Sequence, residues 1–292
     1  MKLKLNTLVL SLLSLFFLAS CGSGGNKDKS ADFDKTKTLD EEIMDISGKI
    51  PPPTEIPYLL QSTGAEYNQS LINSRAGLDG YLAQPDKSAL NLGVYAADMG
   101  YLSSYDKTQE CIDYFNACKR IADELGIMGS FDPEMVKRVE SNIGNKDSLA
   151  TILNQAISDT RKYLTGNSQS KLGALMVSGS FIESLYLATG VIKTYPKDAF
   201  TDTKQKMQIL APLIQIIINQ RSSAVEVSNM LKKVDQTESI TAILKDLDDL
   251  EATYKALNME DQIKNGTANF TDETLAGLTK VIEKLRSDIV AN

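Results

Sequence analysis

The sequence predicts an all-α protein, a multi-helix bundle or irregular array of α-hairpins with about nine helices. Almost every segment after residue 66 repeats its apolar residues at three and four, and no convincing alternating run points to a strand. The breaks between segments carry residues that begin or end helices. Gly126 follows "RIADEL", where a left-handed C-terminal cap suits glycine. Asp147 precedes "SLATILNQAISDTRKYL", where its carboxylate can accept orphan backbone amides. Pro212, inside "QILAPLIQIIINQ", is expected to bend or break its helix.

Residues 1–20 read as a secretory signal. Lys2 and Lys4 form a short basic head, followed by the apolar run "TLVLSLLSLFFLAS". That run is short for a membrane span. It ends at Leu18-Ala19-Ser20-Cys21, a tetrad that resembles the lipobox of bacterial lipoproteins. The resemblance implies that the Cys21 sulfur takes a diacylglycerol and that Cys21 becomes the first residue of the mature chain. Acyl chains add about 0.8 kcal/mol per buried methylene, so two or three would hold the protein on a lipid bilayer. Residues 21–38, beginning "GSGGNKDKSADFDKTKT" after the cysteine, are too polar to bury a core and are expected to be a disordered tether. In bacterial lipoproteins a residue other than aspartate after the lipidated cysteine is compatible with onward sorting to the outer membrane, and here it is Gly22. The expected location is therefore the outer membrane, on its periplasmic or its cell-surface face. Residues 39–66 hold Pro51, Pro52, Pro53 and Pro57 and are expected to form an extended strap.

The helical domain is expected over 67–292, with a candidate sub-boundary at 195–202. Helices are placed near 67–82, 88–104, 107–125, 132–142, 147–164, 169–194, 203–234, 238–258 and 272–290. The last two are an amphipathic pair. Ile240, Ile243, Leu247, Leu250, Tyr254 and Leu257 repeat at three and four, as do Leu275, Leu278, Ile282, Leu285 and Ile289. Each narrow seam suits packing within a bundle. No steady internal repeat is present.

Composition restricts the chemistry. The chain holds 31 Lys+Arg, 38 Asp+Glu and no histidine. Without Lys2 and Lys4 the basic count falls to 29, a net charge of −9. Such a surface disfavours nucleic acid, whose binding rests on neutralising phosphates. The missing histidine removes Ser-His-Asp and Cys-His catalysis in their usual forms, and any His-ligated metal site. No cofactor or metal is expected. Cys111 and Cys118 stand about 10.5 Å apart along a helix, too far to bridge, and are expected to be buried thiols.

Two helices carry the candidate site. In "LNLGVYAADMGYLSSY", Asn91, Tyr95, Asp98 and Tyr105 share one stripe, interrupted by Leu102. Gly93, Ala96, Ala97, Gly100 and Ser104 lie opposite and invite close approach of another helix, with Tyr101 on a flank. So little charge around the circumference places this helix in an interior. The second helix, "LGALMVSGSFIESLYLATGVI", carries one charge, Glu183, sharing a face with Gly179, Tyr186 and Gly190. A central glutamate is costly in lipid, so a buried core helix is expected rather than a span. A buried carboxylate must be hydrogen-bonded or protonated. The two helices are therefore expected to pack together, with Glu183 near Asn91, Tyr95 or Tyr101.

"IPPPTEIPYLLQSTGAEYNQSLIN", "ALNLGVYAADMGYLSSYDKTQECIDYF", "ADELGI" and "GSFIESLYLATG" resemble an uncharacterised group of helical lipoproteins from Gram-negative bacteria. The likeness spans roughly residues 50 to 190 and implies fold and location, with no activity attached. Phe181 stands where that group's pattern calls for tryptophan.

Three functions remain open on these residues. One is a membrane-anchored scaffold or adaptor for another envelope protein. The second is a binding protein for a sugar, amine or peptide, with a pocket of Asn91, Tyr95, Asp98, Tyr101, Glu183 and Tyr186. The third is glycoside hydrolysis by Asp98 and Glu183, which requires an open cleft between the acids.

Overall fold

The computed structural model describes residues 38–52, 54–142, 145–166, 169–195, 203–258 and 272–291. These belong to a single compact unit, Lys37–Asn292. The signal, the lipobox cysteine, most of the tether and residues 196–202 of the candidate sub-boundary lie outside the described residues. Among the described residues every regular element is a helix, as the apolar period predicts.

The segment expected as an extended strap contains two helices. The first, α1 (Leu39–Gly48), opens with a capping box. The Thr38 hydroxyl accepts from the Glu41 amide, while the Glu41 carboxylate accepts from the Thr38 amide at 2.8 Å. The second, α2 (Glu55–Ser62), includes Pro57. Proline in a first turn loses nothing, because amides there have no intrahelical acceptor. Pro51 and Pro52 lie between the two helices, outside both.

Residues 67–82 are also not one helix. They form two 3₁₀ turns, Gln69–Leu71 and Arg75–Gly77, followed by the short α3 (Leu78–Leu82). Asn68 and Ser74 side chains accept from the Ser70 and Ala76 amides, fixing tight turns in competition with a continuous helix.

The centre is a pair of long helices, α4 (Pro85–Ser104) and α8 (Ser170–Thr194). Between them in sequence lie α5 (Thr108–Glu124), α6 (Pro133–Asn142) and α7 (Lys146–Gly166). Gly126 ends α5 with a φ of +68°, as expected of its cap. The cap of α7 falls two residues before Asp147: Asn145 Oδ1 accepts from the Ser148 amide at 3.1 Å. After α8 come α9 (Thr203–Asn219), α10 (Arg221–Leu231), α11 (Glu238–Leu257) and α12 (Asp272–Val290). α9 runs through Pro212, and the interruption falls at Gln220. Pro212 is exposed, so water can satisfy the carbonyl deprived of its amide partner.

The contact between α4 and α8 is the most extensive in the domain. Two glycines produce it. A Cβ on Gly93 would overlap the Met176 carbonyl oxygen and stand 2.7 Å from the Ser180 nitrogen. A Cβ on Gly179 would overlap the Leu90 carbonyl oxygen. The backbones therefore touch directly, as the small-residue face predicts. α8 is long and apolar enough to cross a membrane, yet 94% of its most apolar window is buried inside the protein. The α11 and α12 seams close within the chain: Ile240, Leu247, Leu250, Leu278, Ile282 and Leu285 are all buried. The Tyr254 hydroxyl donates to the Ile217 carbonyl at 2.8 Å, tying α11 to α9.

Candidate functional site

Glu183 lies at the middle of α8 with no exposure to solvent. Asp98 on α4, equally buried, lies near enough for the two carboxyls to interact electrostatically. The cation that faces them comes from α12, not from the central pair. Arg286 donates from Nε to Glu183 Oε2 at 3.0 Å and from Nη2 to Oε1 at 3.3 Å. Its guanidinium also covers the Tyr186 ring, 4.5 Å from the centroid. A two-pronged arginine–carboxylate pair is among the stronger interactions available in an interior.

Two neighbouring carboxyls taken out of water disfavour a second negative charge, so a proton on one of them is favoured. Burial, reinforced by the charge of Glu183, pushes Asp98 well above the ordinary carboxylate range. Burial also raises Glu183, but Arg286 opposes that shift. Asp98 Oδ2 accepts from the Asn73 amide at 3.1 Å, while Oδ1 has no conventional partner. A neutral Asp98 beside an ionised Glu183 and a charged Arg286 would leave the site with no net charge.

The proton has a measurable consequence. In the unfolded chain Asp98 loses it through the usual range near 3.8, whereas the folded protein keeps it to higher pH. Folding therefore takes up one proton between those limits. The stabilisation is complete below the unfolded value and lost as pH rises, at about 1.4 kcal/mol per unit until the shared proton leaves. Asp98→Asn removes the titrating group, while its carbonyl can still accept from the Asn73 amide. Denaturant titrations from pH 5 to 8 should show the wild type losing stability with pH faster than the variant. Parallel curves for the two proteins would rule out the shared proton.

The remaining stripe residues join the same buried assembly through hydrogen bonds to other groups. Asn91 donates to the Lys87 carbonyl at 3.0 Å and to the Ile289 carbonyl of α12 at 3.1 Å. Its Oδ1 accepts from Asn73 Nδ2 at 3.1 Å. The Tyr95 hydroxyl donates to the Ser74 carbonyl at 3.3 Å, and the Tyr101 hydroxyl accepts from the Asn68 amide at 2.9 Å. Asn91, Tyr95 and Tyr101, expected near Glu183, make their hydrogen bonds to other groups. These groups hold the 67–77 segment and α12, and Arg286 satisfies the carboxylate.

Sequence reasoning also missed Asn73, Tyr81 and Tyr114. The Tyr114 hydroxyl donates to the Asn73 carbonyl at 2.6 Å, and Tyr81 donates to the Val290 carbonyl at 2.9 Å. Arg286 did leave a signal. It stands four residues after Ile282 and three before Ile289, so it lies on an apolar seam where a charge needs a partner. Tyr105 belongs to a separate aromatic group, 4.9 Å from Tyr101 between ring centroids. Cys111 and Cys118 are free and buried, as expected. Burial pushes the Cys111 thiol up to about 12 and raises Cys118 too, which keeps both from forming reactive thiolates.

Asn91, Tyr95, Asp98, Tyr101 and Glu183 all have zero exposure. What the assembly can do chemically is structural. It neutralises two acids, orders a non-helical segment and fastens α12 across α4 and α8. No protein-family profile, curated protein or solved structure matches this chain.

Proposed function

We propose that this chain is an outer-membrane lipoprotein, anchored through acylated Cys21, whose helical domain serves as a rigid scaffold or adaptor for another envelope protein. The observation that carries the reading is the sealing of the polar stripe. Side chains that would line a Tyr/Asp/Glu pocket are committed to internal partners, and the two acids meet each other rather than an open cleft. Neither a sugar site at this stripe nor paired-carboxylate hydrolysis fits that arrangement, since hydrolysis needs room for a substrate between the acids.

The start of the domain supports tethering. Sixteen residues, 22–37, separate the lipobox cysteine from the capped start of α1. α1 is itself fastened down, with Glu42 paired to Lys233 and Lys49 to Glu226 at 2.8 Å.

Metabolic labelling with palmitate tests the anchor, and purification from neutral detergent tests the scaffold. Wild-type chain should take up label and sediment with outer membranes, while Cys21→Ser should lose both properties. An envelope protein should co-purify with the anchored chain in fixed proportion. Unlabelled protein in the cytosol would refute the anchor. Recovery of labelled chain alone, after cross-linking in intact cells, would refute the scaffold.

A further inference from the structure

A second place in the molecule has the properties that the central stripe lacks. Where α1 and the proline link cross α7 and α8, the structure encloses a half-open cavity of about 250 Å³. That exceeds the ~150 Å³ that admits a benzene and falls just below the ~300 Å³ at which pockets for drug-sized ligands begin. Pro51, Pro52 and Val177 give it an apolar wall, while Asn154, Ser180 and Arg161 give it a polar one.

Arg161 is the unusual member. Its Nη1 donates to the Ser47 carbonyl at 3.1 Å and its Nη2 to Ser158 Oγ at 3.4 Å. The guanidinium has five N–H donors, and these two bonds leave three without an acceptor among the described residues. Its Nε is shielded from solvent and has no partner among the described residues. No carboxylate lies within ion-pair distance of Arg161 among the described residues, although the chain is strongly acidic. Burial accordingly pulls its pKa down, with no neighbouring charge to restore it. Arg161 is the opposite of Arg286, whose charge is met on the spot by Glu183. The Asn154 Oδ1 accepts from Thr54 at 3.0 Å, which leaves its amide NH₂ as a further donor.

We propose that this cavity binds a small organic carboxylate with a short apolar body, its carboxylate on Arg161 and its body against Pro51, Pro52 and Val177. A planar guanidinium with unused donors matches a carboxylate in geometry and in charge, and the apolar wall selects against fully hydrated inorganic anions. The inference is independent of the membrane anchor and of any protein partner.

Equilibrium dialysis of the full chain in neutral detergent tests it, with radiolabelled benzoate and hexanoate as probes and a detergent-only chamber as blank. Both should bind saturably with one site per chain, and benzamide should compete roughly 10- to 100-fold less well. Arg161→Met should weaken benzoate binding by a similar factor. Because that change also removes the bond to Ser47, Val177→Phe provides a second arm. It fills the cavity, leaves Arg161 and α1 in place, and should abolish binding while thermal melting stays cooperative. Absence of saturable binding by either probe overturns the proposal. So does equal competition by benzamide, undiminished binding in the cavity-filled variant, or displacement by inorganic phosphate at matching concentration.

Discussion

Arg286→Met should destabilise the fold by about 3–5 kcal/mol, the cost of leaving a buried carboxylate without its cation. Glu183 has no exposure, and Arg286 is its only cationic partner among the described residues. The variant must then protonate a second acid beside Asp98 or admit water to the core. Either route is paid for in stability, and guanidinium unfolding would measure it. Adding Glu183→Gln to Arg286→Met should restore much of the loss, because a neutral core needs no counter-charge. A single-variant cost below about 1 kcal/mol would mean that Arg286 only decorates the core, since exposed ion pairs contribute that little.

Gly93→Ala and Gly179→Ala should each destabilise by about 3 kcal/mol, at the upper end for adding a methyl to a packed interior. The sign is the informative part. In an ordinary helix interior, glycine to alanine gains roughly 0.5–1 kcal/mol. Here the new methyl meets the Met176 or Leu90 carbonyl, which is backbone and cannot swing away. Gly166→Ala provides the control, since nothing lies within 4 Å of a Cβ placed there, and it should be neutral or slightly stabilising. Melting temperatures of the three variants would separate direct helix contact from a general intolerance of change. A neutral Gly179→Ala would contradict the α4–α8 crossing itself.

The fold was legible where the information is local. Apolar spacing located the long helices, small residues marked the face joining α4 to α8, and a lone charge within an apolar run announced that Glu183 is buried. Legibility failed where local signals compete or where partners are distant in sequence. Asn68 and Ser74 carry no apolar signature of their own, yet their side chains fix tight turns before α3. Pro57 suggested extended chain, but proline is also at home in a first helical turn. Arg286 sits 103 residues from Glu183, and a regular three-four pattern around it drew the eye to the leucines instead. The candidate site was thus half read: its acids stood out by their surroundings, and its base did not.

The position of that base has a consequence for how the protein is made. Nascent chains emerge from their amino end, so both acids arrive long before residue 286. Until α12 has docked, α4 and α8 can meet only with surplus negative charge between them, or with a second borrowed proton.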